Sequence, residues 1–110
     1  MISVGDFVLT RNSPLPVADP NNCDNEHLLL QHDLPHPTYR FSDTQCLNLN
    51  VSVPATDANK TPGALLPVLV FVHGGGFVTG SGSWPQWDLA AIVKKSVVES
   101  KTPIVAVGIK

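Results

Sequence analysis

Residues 73–76, His-Gly-Gly-Gly, are the part of this sequence whose types and spacing could do chemistry. Successive glycines are entropically expensive to order, so a stable fold places them where side chains cannot be tolerated. Bare backbone N–H groups in such a loop can approach a ligand closely and hold a developing negative charge. One reading is therefore an oxyanion hole for acyl transfer, in which a single well-placed donor is worth about 2.7–4 kcal/mol in the transition state.

Two other glycine-loop chemistries fit less well. Gly74, Gly76 and Gly80 are spaced G-x-G-x-x-x-G rather than as the dinucleotide fingerprint, and no acidic residue follows at the end of a second strand to hold a ribose. Gly75 and Gly80 have the spacing of a phosphate-binding P-loop, but Ser81 stands where that loop requires lysine. A tight turn that merely lets strand and helix pack is the remaining structural alternative. His73, at the end of a strand, reads as a residue that supports the loop through its ring nitrogens rather than as a catalytic base.

The elements around the loop must position it. Val68–Val72 is a continuous apolar run without polar alternation, which suits a strand buried on both faces of a parallel sheet. Past the loop, Pro85 and Asp88 predict a helix start, and Leu89, Ile92, Val93 and Val97 recur at helical spacing. Lys101 and Pro103 close that helix, and Ile104–Ile109 reads as a second buried strand. Strand, loop, helix and strand make a right-handed crossover in a parallel sheet. Upstream, Leu47, Leu49, Val51 and Val53 alternate with Asn48, Asn50 and Ser52, the mark of a half-buried strand ended by Pro54. The polar stretch 55–66 predicts a solvated loop returning the chain antiparallel to that strand. Residues 1–45, broken by Pro14, Pro16, Pro20, Pro35 and Pro37, read as an irregular arm. In it, Asn21-Asn22 and Asp24-Asn25 suggest turns, and Leu28–Leu30 a short buried segment.

Composition sets the outer limits. The chain has 110 residues, 43% of them apolar and 15% charged, which is a globular rather than a disordered balance. A net charge of −2 without a basic cluster gives no basis for binding nucleic acid or an anionic membrane surface. No apolar run reaches transmembrane length. The first fifteen residues lack the basic start and continuous apolar core of a signal peptide, and Asp6 interrupts them, leaving the compartment open. His27, His32 and His36 have no carboxylate at ligand spacing, so no metal site is expected in the arm. Cys23 and Cys46 are too few for a disulfide scaffold and badly spaced for zinc, leaving two free thiols as the plain reading. If bridged, they would close a loop of roughly 22 residues, worth about 3 kcal/mol by loop-closure entropy. Trp84 and Trp87 could wall an apolar pocket or simply pack in the core.

The run Leu-Pro-Val-Leu-Val-Phe-Val-His-Gly-Gly-Gly-Phe-Val-Thr-Gly-Ser-Gly at 66–82, with Ile-Val-Ala-Val-Gly-Ile-Lys at 104–110 and Cys-Leu-Asn-Leu-Asn-Val at 46–51, resembles the type B carboxylesterase and lipase family, which includes the cholinesterases. The wording of the arm is similar to fungal members. The resemblance implies an α/β fold: the N-terminal part of an α/β-hydrolase over residues 46–110, its sheet mostly parallel with an antiparallel first hairpin. It implies carboxylic ester hydrolysis through a serine acyl-enzyme without metal or organic cofactor, on a small-molecule or lipid ester. Gly75 and Gly76 would supply oxyanion-hole N–H groups, and Gly74 would shape the turn. Cys46 matches the second cysteine of a family disulfide, which makes Cys23 its candidate partner. Ser42-Asp43-Thr44-Gln45 departs from the Ser-Glu-Asp run the family carries before that cysteine. No G-x-S-x-G occurs in the sequence, and neither Ser81 nor Ser83 has the required flanking glycines. The nucleophile and its partners are thus expected outside this chain, which alone is expected to be inactive. A non-catalytic binding module of the same fold is the alternative from a different class.

Overall fold

The computed structural model describes residues 13–54 and 65–110. The expected loop at 55–66 lies mostly outside the described residues, as does the start of the arm. Strand β1 (Leu49–Ser52), strand β2 (Val68–Phe71), helix α2 (Leu89–Val98) and strand β3 (Val105–Ile109) form the body, preceded by a short helix α1 (Asn22–His27) in the arm. The strands make one mixed sheet in the order β1-β3-β2. Strands β2 and β3 run parallel, with Val70 opposite Val107, and α2 connects them. Strand β1 pairs antiparallel with β3, Val51 also opposite Val107.

The expected first hairpin does not form, because β3 inserts between β1 and β2. The helical crossover returns β3 parallel to β2 on the side facing β1, so β3 takes the position a hairpin would have given to direct β1–β2 pairing. β1 is still antiparallel to the rest.

Which residues meet follows from the period of two along each strand. Ser52, Ala106 and Gly108 share the face that α2 covers; Ala106 is fully buried there beneath Leu89 and Val93, with Phe71 and Ile104 packed alongside. On the opposite face Leu49, Val51, Val68, Val70, Val105, Val107 and Ile109 form a continuous apolar surface. Nothing among the described residues covers it: Val68 is 59% and Val70 58% exposed. Among the described residues β2 is therefore an exposed edge strand, not one buried on both faces, since it has one neighbour there and a helix on one side only. For the same reason the alternation in β1 is inverted. Ser52 is buried, while Leu47 and Leu49 are exposed.

Helix α2 begins where Asp88 caps it, its Oδ1 accepting from the N–H of Ala90 at 3.0 Å and of Ala91 at 3.4 Å. Pro85 opens a single 3₁₀ turn, Pro85–Trp87, just before. Leu89 and Val93 face the sheet, but Ile92 points to solvent and Ser96 takes the inward position expected of an apolar residue. The Ser96 hydroxyl donates to Val93 O at 2.6 Å and accepts from Ile104 N at 3.3 Å, so it satisfies the backbone where the chain leaves the helix for β3. Lys101, at φ 54°, reverses the chain.

The arm folds back on itself and docks on the body. Leu15 N donates to Arg40 O at 2.8 Å and Ser42 N to Leu15 O at 2.9 Å. The asparagine and aspartate pairs expected to make turns instead start and continue α1, whose first turn follows Asp19: Asn21 N donates to Asp19 Oδ1 at 2.9 Å. Cys23 and His27, one helical turn apart, face inward. Leu28–Leu30, expected to be buried, are exposed, because the inward stripe of α1 ends at His27 and the chain turns outward after it. Tyr39 Oη donates to Ser83 O at 3.4 Å, Asn48 Nδ2 to Pro14 O at 3.1 Å and Lys110 Nζ to Ser13 O at 3.2 Å. No helix among the described residues is long and apolar enough to cross a membrane.

Candidate active-site loop

The glycine loop begins two residues past the end of β2. Gly75 stands at φ 128°, Gly76 at φ 61° and Gly80 at φ 105°, all in the region that favours glycine. Phe77 adopts φ 62° as well, which is strained for a residue with a β-carbon. The turn is closed by Gly75 O, which accepts from both Val78 N and Thr79 N at 3.1 Å. A β-carbon on Gly75 would overlap the Thr79 carbonyl, and one on Gly80 would overlap Gly74 O and crowd the His73 ring. Gly74 and Gly76 face open space.

His73 Nδ1 donates to Gly74 O at 2.7 Å; a carbonyl can only accept, so the ring proton sits on Nδ1 in this contact. Among the described residues no acceptor takes the N–H of Gly75 or Gly76. These two amides remain available on a loop whose turn is already satisfied by other groups.

Beside the loop is a cavity of about 320 Å³. Leu15, Tyr39 and Phe41 of the arm form one wall, Phe77–Gly80 the other, and the buried Trp84 lines it too. Trp87 instead stacks at a tilt on Phe71, ring centroids 5.1 Å apart. Ser81 is almost fully buried, and its Oγ accepts from Ser83 N at 3.1 Å; Ser83 Oγ accepts from Asn50 Nδ2 at 3.1 Å. Ser81 thus braces the loop's exit internally, and Ser83 ties it to β1. Gly82 has a role the sequence did not disclose: a β-carbon there would overlap Ile109 O, so this glycine lets the loop exit lie against β3. Its spacing after Gly80 was the available signal.

The two cysteines are free thiols in this structure. Cys23 Sγ is 3.6 Å from His27 Nε2 and 3.9 Å from Tyr39 Oη, whereas Cys46 Sγ contacts Asp43 O at 3.9 Å. The two cysteines that the resemblance pairs have separate local partners here. Burial pushes the Cys23 thiol up from its ordinary pKa, partly offset by the Tyr39 hydrogen bond. Burial also pushes the Tyr39 phenol well up, helped by Cys23.

The arm histidines, expected to have no carboxylate at ligand spacing, include one that the fold sets between two carboxylates. His36 Nδ1 lies 2.7 Å from Asp24 Oδ1, and His36 Nε2 3.5 Å from Asp33 Oδ1. The chain turns back after α1, bringing residues far apart in sequence together. The Asp24 hydrogen bond raises the His36 pKa. His32 is exposed.

A parallel β-α-β unit with a glycine loop at the tip of its first strand, flanked by an antiparallel strand, is part of an α/β-hydrolase fold. A thermophilic PNB esterase superposes on 88% of the chain with a TM-score of 0.61 at 25% identity. The sequence pattern of the carboxylesterase family matches residues 11–107, and the chain belongs to that family. Relatives include a neuroligin-like protein of Caenorhabditis elegans, 44% identical over 51% of the chain, and the juvenile hormone esterase of Tribolium castaneum, 45% identical over 48%. The fumonisin B1 esterase of Sphingopyxis macrogoltabida is 42% identical, also over 48%. The matched segments span 8%, 8% and 9% of those relatives, and the chain covers 16% of the solved esterase.

Proposed function

We propose that this chain supplies the oxyanion-hole loop of a serine carboxylesterase. The observation that carries the reading is the pair of Gly75 and Gly76 amides, without acceptors among the described residues, on a turn that Gly75 O and His73 otherwise satisfy. In the acyl-transfer step the substrate carbonyl oxygen becomes an oxyanion as the nucleophile adds. Two fixed N–H donors stabilise that charge more than the ground-state carbonyl, which lowers the barrier without tightening substrate binding. Gly75 closes the turn, and His73 holds it through Gly74 O. The nucleophile, its base and its orienting acid lie outside this chain, since no G-x-S-x-G occurs in it. The reaction is carboxylic ester hydrolysis through an acyl-serine, which requires neither metal nor organic cofactor. The substrate is a small-molecule or lipid ester, and the apolar cavity beside the loop suits it.

The test uses the complete protein and a p-nitrophenyl butyrate assay. Gly76 faces open space, so Gly76→Ala meets no overlap and costs only the strain of an alanine at φ 61°, about 1–2 kcal/mol, while its methyl stands beside the oxyanion position. The expected result is a fall in kcat of about 10²–10³ with little change in KM. An unchanged kcat in a folded variant would remove the oxyanion assignment. The chain of 110 residues alone is expected to show no turnover, because loss of a triad costs on the order of 10⁶ in kcat. If the complete protein hydrolyses no ester, the alternative applies: a non-catalytic binding module of the same fold.

A further inference from the structure

The two walls of the cavity beside the glycine loop are joined by one side chain that lines neither. Asn22, Cys23 and Tyr39 of the arm belong to one wall, and Trp84 with Phe77–Gly80 to the other. Two residues past Trp84, Gln86 is the middle residue of the 3₁₀ turn Pro85–Trp87, between the loop's exit and α2. Its amide reaches back to α1 across 59 and 60 residues of sequence. Gln86 Nε2 donates to Glu26 Oε2 at 3.1 Å, and Gln86 Oε1 lies 3.0 Å from His27 Nε2.

The donors and acceptors allow one arrangement. A carboxylate only accepts, so the amide turns its NH₂ to Glu26 and its oxygen to His27. The His27 ring proton then sits on Nε2 and donates to Gln86 Oε1. Both ends of the amide are used at once, one of them against a charge, which makes the stronger kind of hydrogen bond. His27 is buried and its Nδ1 has no partner among the described residues, so Gln86 is the shortest polar contact that orients the ring. The other tie between the arm and the loop's exit, from Tyr39 Oη to Ser83 O, is longer at 3.4 Å. Because Glu26 and His27 are adjacent on α1, holding both fixes the helix's rotation as well as its place along the turn. The tie does not depend on the state of Cys23.

We propose that Gln86 is a positioning residue that sets the width of this cavity, and through it the size of the alkyl group an ester substrate carries there. The proposal rests on the ester reading above. Gln86 acts through α1 on one side and through the turn after Trp84 on the other. An acetyl or methyl group is small beside a cavity of about 320 Å³ and gains little from its walls, whereas an eight-carbon chain buries methylenes against both. Such contacts lie away from the reacting carbonyl and are equal in ground and transition states. Loosening them therefore raises KM and leaves kcat nearly unchanged.

The test uses the complete protein and two ester series: p-nitrophenyl acetate against p-nitrophenyl octanoate, and methyl butyrate against octyl butyrate. Gln86→Met keeps the side chain's length and removes both hydrogen bonds. The ratio of kcat/KM, long over short, should fall at least about fivefold in one series, and the fall should lie in KM. The series that responds tells which side of the ester the cavity holds. Glu26→Met breaks the same tie from the α1 side and should move the ratio in the same direction, so the effect is read even where Gln86→Met disturbs the turn. Gln86→Glu alone sets two carboxylates against each other and should also lower the ratio. Combined with Glu26→Gln it restores one donor toward residue 86 and one acceptor toward His27, and the double variant should regain the native ratio. A uniform fall for short and long esters, or a double variant no better than Gln86→Glu, would overturn the role. An unchanged ratio in both series, in a protein that hydrolyses esters and loses kcat in Gly76→Ala, would overturn this role and leave the ester reading standing. No ester hydrolysis by the native protein would overturn both.

Discussion

The carbonyl of Thr79 occupies the space that a β-carbon on Gly75 would need, while Thr79 N donates to Gly75 O at 3.1 Å. The two residues close the turn from both ends, so Gly75 is required by contact as well as by its φ of 128°. Gly74, one residue earlier, has open space around it and no such φ. Gly75→Ala should therefore destabilise the protein by about 2 kcal/mol or more, through strain and overlap together. Gly74→Ala should change stability by less than about 1 kcal/mol. Urea midpoints of the two variants, compared at equal slope, check the contrast; equal midpoints would mean the turn does not hold this geometry.

A second prediction concerns the uncovered face of the sheet. Val68, Val70, Val107 and Ile109 present apolar surface that no described element covers, and contiguous surface of that kind promotes association. The chain on its own should bind the dye ANS strongly and self-associate. Val70 sits on the edge strand and is more than half exposed, so Val70→Lys should reduce both effects while shifting stability by about 0.5 kcal/mol or less. ANS fluorescence and light scattering read the change directly. Unaltered scattering in Val70→Lys would show that this face is not what associates.

The local pattern around the loop was legible because it depends on neighbours in sequence. The apolar run at 68–72, the cap at Asp88 and the return at Ile104–Ile109 each have a local cause, and β2, α2 and β3 follow them. Strand order was not legible, because β1 has the same alternation whether it pairs with β2 or with β3. Burial failed for a related reason. A continuous apolar strand signals a sheet meant to be covered on both faces, but among the described residues only α2 covers this one. In the arm, the inward pair Cys23 and His27 was hidden by short, polar surroundings that resemble turns. The meeting of His36 with Asp24 is a long-range event that no spacing rule reports.

Tyr39 provides the pH prediction, and it is the chain's single tyrosine, so its phenolate absorption can be followed without overlap. Burial, and then the neighbouring Cys23, hold its pKa well above the ordinary value of 10.0. A folded-state pKa raised above the unfolded one means the native state keeps a proton that the unfolded state has lost. The contribution to stability is therefore whole below about pH 10 and is lost as pH rises beyond it. Phenolate absorption should stay absent near pH 10 and then appear together with loss of far-ultraviolet circular dichroism. In Tyr39→Phe the alkaline decline in stability should be shallower, although the hydrogen bond to Ser83 O is gone. A phenolate that titrates at its ordinary pKa in the folded protein would show that the arm does not close over Tyr39, and with it one wall of the cavity beside the glycine loop would be lost.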